Sequence, residues 1–149
     1  MIDNNILDLI FAEDINDLKN KLVETDPSQI NLVDESLNLT PLICAIDTNN
    51  EEIVKAILDA KADPNFKANG LSLPLIHAIE IAVEMEDYNP NINEISTRVI
   101  ELLIKYGADI NQKNYDGVTP IEFSKNYPVA AYNLFQKLNQ QKGNHNNSR

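Results

Sequence analysis

Three prolines open the same short pattern along this chain, and they do so in step. The copies read Thr40-Pro41-Leu42-Ile43-Cys44-Ala45, Leu73-Pro74-Leu75-Ile76-His77-Ala78 and Thr119-Pro120-Ile121-Glu122-Phe123-Ser124. Pro41 and Pro74 are 33 residues apart; Pro74 and Pro120 are 46 apart, which is the same period with 13 residues inserted. A second signature keeps phase with the first: Ala62-Asp63-Pro64-Asn65, then Gly107-Ala108-Asp109-Ile110-Asn111. A period of this length with a T-P-L opening marks stacked helix-turn-helix units. Such a unit cannot bury its apolar face alone and does so on its neighbour, so an all-α row of helix pairs is expected.

Each part of a unit has a local cause. Thr40 offers a hydroxyl to a helix N-terminus, and Pro41 takes the first helical position, where a missing N–H costs nothing. Leu42, Ala45 and Ile46 recur at helical spacing on the face to be buried. Asn49-Asn50 break that helix, and Glu51-Glu52 open the next one, well placed against its N-terminal dipole. Ile53, Val54, Ile57 and Leu58 form an outer-helix stripe that Val99, Ile100, Leu103 and Ile104 repeat; Ile53 precedes Ala62 by nine residues, as Val99 precedes Ala108. Ile6, Leu7, Leu9 and Ile10 predict a first inner helix, and Leu18, Leu22 and Val23 its outer partner. This first unit is expected to be an end cap with one polar face. Asn114-Tyr115-Asp116-Gly117-Val118-Thr119-Pro120 opens the last unit, with Gly117 suited to a positive φ. Residues 129–138 predict its closing outer helix, and 139–149, without an apolar side chain, a disordered polar tail.

The third unit departs from the template. Glu80-Ile81-Ala82-Val83-Glu84-Met85-Glu86 keeps helical spacing, so its inner helix is expected to run on for two turns. Asp87-Tyr88-Asn89-Pro90-Asn91 is expected to break it, and 92–98 to extend the outer helix backwards. The insertion is then a helical hairpin overhanging one edge of the row, either a partner-binding element or a tolerated surface addition.

With its T-P-L openings, its Ala62–Asn65 and Gly107–Asn111 signatures and the turn before Pro120, the chain resembles the ankyrin-repeat family from about Asn4 to Leu138. The resemblance implies an all-α ankyrin-repeat solenoid, one domain over 1–138, with units at 4–34, 35–67, 68–113 and 114–138. It also implies a non-enzymatic module that holds a folded protein on its concave face, through the loop tips and the exposed side of the inner helices. Carried onto matching positions, the partner-binding candidates are Glu35, Leu37, Cys44 and Asp47 in the second unit, and Phe66, Asn69, His77 and Glu80 around the third. The fourth adds Tyr115, Asp116, Phe123 and Tyr127; the insertion adds Glu84, Glu86, Asp87 and Tyr88. The chain departs from the family where Ile43, Ile76 and Glu122 replace the usual His after T-P-L. Leu73 stands in place of a capping Thr, and Asn38 and Leu71 stand where the turn Gly belongs, so those tips are expected to be distorted.

Charge narrows the partner. Net charge is −11, and residues 1–52 hold twelve acids against Lys19 and Lys21, so −10 of it lies there. Such a field repels phosphate backbones and anionic membranes and attracts basic proteins. No run of 18 apolar residues crosses a membrane. The acidic start, Met1-Ile2-Asp3-Asn4-Asn5, is unlike a secretory leader. A single cysteine, Cys44, fits a reducing, cytoplasmic setting. Cys44 and His77 hold equivalent positions in successive inner helices but lack a third orienting group; His77, Glu80 and Glu84 share a helix face but lack a second ligating cluster. No cofactor, metal or catalytic residue is expected, and the chain is expected to be a monomer without its partner. The expected function is protein binding, with one narrower form, an acidic inhibitor or immunity protein that neutralises a basic enzyme or toxin. The alternative is an adaptor or effector fragment in a host-directed or signalling assembly.

Overall fold

The computed structural model describes residues 4–88, 97–126, 133–137 and 140. Its helices are α1 (Asn4–Phe11), α2 (Ile15–Glu24), α3 (Pro41–Asp47), α4 (Glu51–Asp59), α5 (Pro74–Tyr88), α6 (Arg98–Lys105) and α7 (Pro120–Ser124), with a 3-10 turn at Pro27–Gln29. Residues 133–137 are helical as well. Among the described residues there is no strand, only an isolated bridge between Asp34 and Leu39 that closes one loop tip. No described helix is long and apolar enough to cross a membrane.

The helix starts are set by side chains that satisfy otherwise orphaned N–H groups. Thr40 Oγ1 accepts from Ile43 N at 3.2 Å, and Asn50 Oδ1 accepts from Glu52 N at 3.1 Å. Thr119 and Glu122 form a reciprocal capping box at α7. Helices α1, α3, α5 and α7 pack side by side in an inner row, and α2, α4 and α6 pack in an outer row; α1 pairs with α2, α3 with α4 and α5 with α6. One continuous apolar layer runs between the rows, from Ile6 and Ile10 through Ile46, Ile57, Ile79 and Leu103 to Phe135, all buried. The stripe of α4 buries as its spacing predicts. In α6 the buried set is Val99, Ile100, Leu102 and Leu103, and Ile104 is only half-buried.

Several expectations shift. Leu73, in the position of a capping Thr, is 2% exposed. Burying a Leu side chain is worth about 1.5–3 kcal/mol against about 1 kcal/mol for a cap, so packing offsets the missing hydroxyl. Asn38 adopts φ 52°, as Gly117 adopts 78°; in the third unit the left-handed residue is Gly70, one position before Leu71. Asn tolerates that region, so the first tip keeps its turn without glycine. Helix α5 continues through Asp87 and Tyr88, where a break is expected. Pro90 disfavours helix only at the residue before it, so Asp87 and Tyr88 remain free to be helical. The outer helix begins at Arg98, behind a non-helical Thr97 whose side chain makes no capping bond. Residues 89–96, the remainder of the expected hairpin, lie outside the described residues, as do Tyr127, 128–132 and the tail save Gln140. The first unit is less polar than an end cap should be: Phe11 and Val23 are exposed.

Candidate functional site

The first loop tip is organised by one carboxylate. Asp34 Oδ1 accepts from Ser36 N at 3.0 Å, Ser36 Oγ at 2.6 Å and Leu37 N at 2.9 Å. Hydrogen bonds from the Ser36 side chain and the Leu37 backbone hold the Asp34 carboxyl below the usual carboxylate range. The turn so fixed displays Glu35, Ser36 and Leu37, the last half exposed at 50%. The last tip is built the same way from an amide: Asn114 Oδ1 accepts from Asp116 N at 3.0 Å and Val118 N at 2.9 Å. Tyr115 is 60% exposed, and the Lys67 ammonium sits 4.6 Å from its ring centroid while donating to Lys113 O at 2.8 Å. A cation–π contact at an exposed site contributes about 0.5–1 kcal/mol. It braces Tyr115 and ties the loop leading into the third unit to the one leading into the fourth.

Along the inner row, α3 and α5 are joined by an ionic bridge. His77 Nε2 lies 2.5 Å from Asp47 Oδ1, and His77 Nδ1 lies 3.3 Å from Glu80 Oε2. Burial pulls the imidazole pKa down, but hydrogen bonds and charge from Asp47 and Glu80 outweigh it and raise it to about 9. At neutral pH the ring is therefore an imidazolium that donates from both nitrogens. Cys44, expected beside it on the open face, is instead wholly buried. Six consecutive residues of α3, Pro41–Ile46, are covered, because that helix has an inner-row neighbour on either side and α4 behind it. Burial, with the negative charge of Asp47 and Asp34, pushes the Cys44 thiol up to about 12, which makes it a poor nucleophile.

The remaining candidates are placed singly. Asn69 and Asp116 are exposed at tips, and Phe66 is half-buried. Phe123 is half-buried and packs on the core, so most of its role is structural. Glu84 is exposed on α5, and Glu86, Asp87 and Tyr88 continue that helix. Among the candidates, the structure brings together Asp47, His77 and Glu80, and sets Glu35 beside Leu37.

Sequence reasoning missed the clamp between units. Asn31 Oδ1 accepts from Asp63 N at 2.7 Å, and Asn65 Oδ1 accepts from Asp109 N at 2.7 Å. Asn65 Nδ2 also donates to Gly107 O at 2.9 Å. Each asparagine reaches the next unit's loop and fastens its backbone there by hydrogen bonds at the surface. The signal was present, since Asn65 and Asn111 recur in the phased signature.

A family model described as ankyrin repeats, in three copies, matches residues 6–114. The chain is 31% identical over 126 residues to "Regulatory protein NPR6" of Arabidopsis thaliana, covering 77% of this chain and 24% of that protein. It is 31% identical over 125 residues to "BTB/POZ domain and ankyrin repeat-containing protein COCH" of Pisum sativum, covering 76% of this chain and 23% of the other. Against "Putative ankyrin repeat protein FPV018" of Fowlpox virus it is 30% identical over 118 residues, 68% of this chain and 17% of that protein. The chain thus spans a quarter or less of the length of these relatives. It belongs to the ankyrin-repeat family.

Proposed function

We propose that this ankyrin-repeat chain holds a basic protein partner on the face formed by its inner helices and loop tips. Ankyrin-repeat domains are typically non-catalytic binding modules, and their presence implies protein–protein interaction. The observation that carries the basic character of the partner is the concentration of −10 of the net charge in residues 1–52. Glu35, Asp47, Glu80, Tyr115 and Asp116 are the residues assigned to that face. Coulombic attraction makes association with such a partner fast and salt-sensitive. The narrower form is an inhibitor or immunity protein that covers the active site of a basic enzyme with carboxylates. A buried, unpaired Cys44 supports a reducing, cytoplasmic setting.

A second reading is favoured by length. The relatives are several times longer than this chain, and the name of one pairs ankyrin repeats with a BTB/POZ domain. The chain then acts as the recognition part of an adaptor assembly. Capture from native lysate at low and at high salt, read by mass spectrometry, tests the basic-partner proposal. Basic proteins retained at low salt and released at high salt are expected. Acidic partners, or capture indifferent to salt, would overturn it.

A further inference from the structure

We infer that the first unit and the first loop tip form a docking patch for a basic segment of the partner that carries an apolar anchor. This rests on the protein-binding proposal and locates where on the chain the partner is gripped. Leu7 and Asp8 of α1 line one surface cavity together with Asp34, Ser36 and Leu37. Leu37 is 50% exposed, and Phe11, one helical turn beyond Leu7, is 54% exposed. The exposure of Leu37 is not required by the fold. The turn is made by the Asp34 carboxylate and by Asn38 at positive φ, which leaves position 37 indifferent to side-chain type. In the equivalent places of the later tips, 33 and 79 residues on, stand Gly70 and Asp116. At this place in the tip only the first unit carries an apolar side chain; the last tip displays Tyr115 one position earlier.

Charge selects the occupant. Asp8 and Asp34 line the cavity, Glu35 stands beside it, and among the described residues no lysine or arginine lines it. Of the two lysines in residues 1–52, Lys19 is drawn to Glu52 at 2.6 Å on the outer row. A second copy of the chain docked here would set a −10 segment against its own like, which repulsion opposes. A lysine- or arginine-bearing segment satisfies the carboxylates while its apolar residue covers Leu37 and Phe11.

The test is an NMR titration of the full chain, ¹⁵N-labelled, with the acetylated peptide Lys-Arg-Leu-Lys-Arg-Phe-Lys. Two matched peptides serve as controls, one with Leu and Phe replaced by Ser, the other with every Lys and Arg replaced by Glu. Shift changes confined to 7–11 and 34–39 are expected, with binding weakened about tenfold by Leu37→Ser and by Phe11→Ser. Both side chains are exposed, so the spectra of the variants should keep their dispersion. A change from low to high salt should weaken binding by about tenfold or more. Equal binding of the serine peptide, shifts centred on His77 and Phe123, or self-association of the chain that Leu37→Ser abolishes would each overturn the patch. Absence of peptide binding alongside salt-sensitive capture of a basic protein would remove the patch and leave the proposed function standing. Failure of that capture would remove the function itself.

Discussion

The second and third units start from one template and are held in different ways. In the second, short-range bonds do most of the positioning: Thr40 caps α3, Asn50 caps α4, and six residues of α3 in a row are buried. In the third, Leu73 replaces the cap, Thr97 makes no capping bond, and α5 is 15 residues long. Both units are clamped by an asparagine of the preceding loop, and the third relies more on such restraints. Asp47 reaches His77 from α3, and Asn65 grips Gly107 and Asp109 from the preceding loop. A unit that carries an insertion is thus secured by its neighbours rather than by its own helix ends.

The largest expected effect tests whether both units share one core. Ile57→Ala in α4 and Leu103→Ala in α6, both fully buried, should each cost about 3 kcal/mol. Urea unfolding should remain a single transition in both variants; two separate transitions would show that the units do not support each other. Next, Asn65→Ala should cost about 2 kcal/mol, because it removes two hydrogen bonds to the backbone of the third unit. Asn31→Ala should cost about half as much, since its second bond, to Lys61 O, is long at 3.4 Å. Equal losses would erase the contrast.

Capping gives a smaller difference of opposite kind. Thr40→Ala should cost about 1 kcal/mol. Leu73→Thr restores the expected hydroxyl yet should also destabilise by about 1 kcal/mol, because the apolar burial it removes exceeds the cap it adds. A stabilised Leu73→Thr would mean that the third unit lacks a cap it needs.

The pH dependence is the finest probe. The folded His77 pKa, about 9, lies above its ordinary value of 6.5, so the bridge's contribution is full below about 6.5 and lost as pH rises through about 9. The stability gap between wild type and His77→Gln should therefore shrink between about pH 6 and about pH 10. A gap that does not change with pH would detach His77 from Asp47.

What could be read from the chain was what is local. Pro41, Pro74 and Pro120 mark the starts of α3, α5 and α7, and the stripe of Ile53, Val54, Ile57 and Leu58 marks the buried side of α4. Helix starts and stripes depend on neighbours a few residues away, so spacing reveals them. The bridge of His77 to Asp47 spans 30 residues and the Lys67–Tyr115 contact spans 48, and both depend on how adjacent units meet. Equivalence in the repeat put Cys44 and His77 on one face, but the covered flank of α3 took Cys44 into the core. Leu73 was legible as a lost cap and not as a buried side chain, because burial there is decided by its neighbours in the stack.

The most direct measurement compares charge reversal in the two halves. Asp8→Lys with Glu35→Lys alters the first unit and first tip; Glu101→Lys with Asp109→Lys makes the same change in charge within the third unit. All four residues are exposed. Quantitative capture of basic partners from native lysate should fall about tenfold or more with the first pair and by much less with the second. Equal losses from both pairs, or undiminished capture by the first, would contradict an acidic N-terminal end that selects the partner.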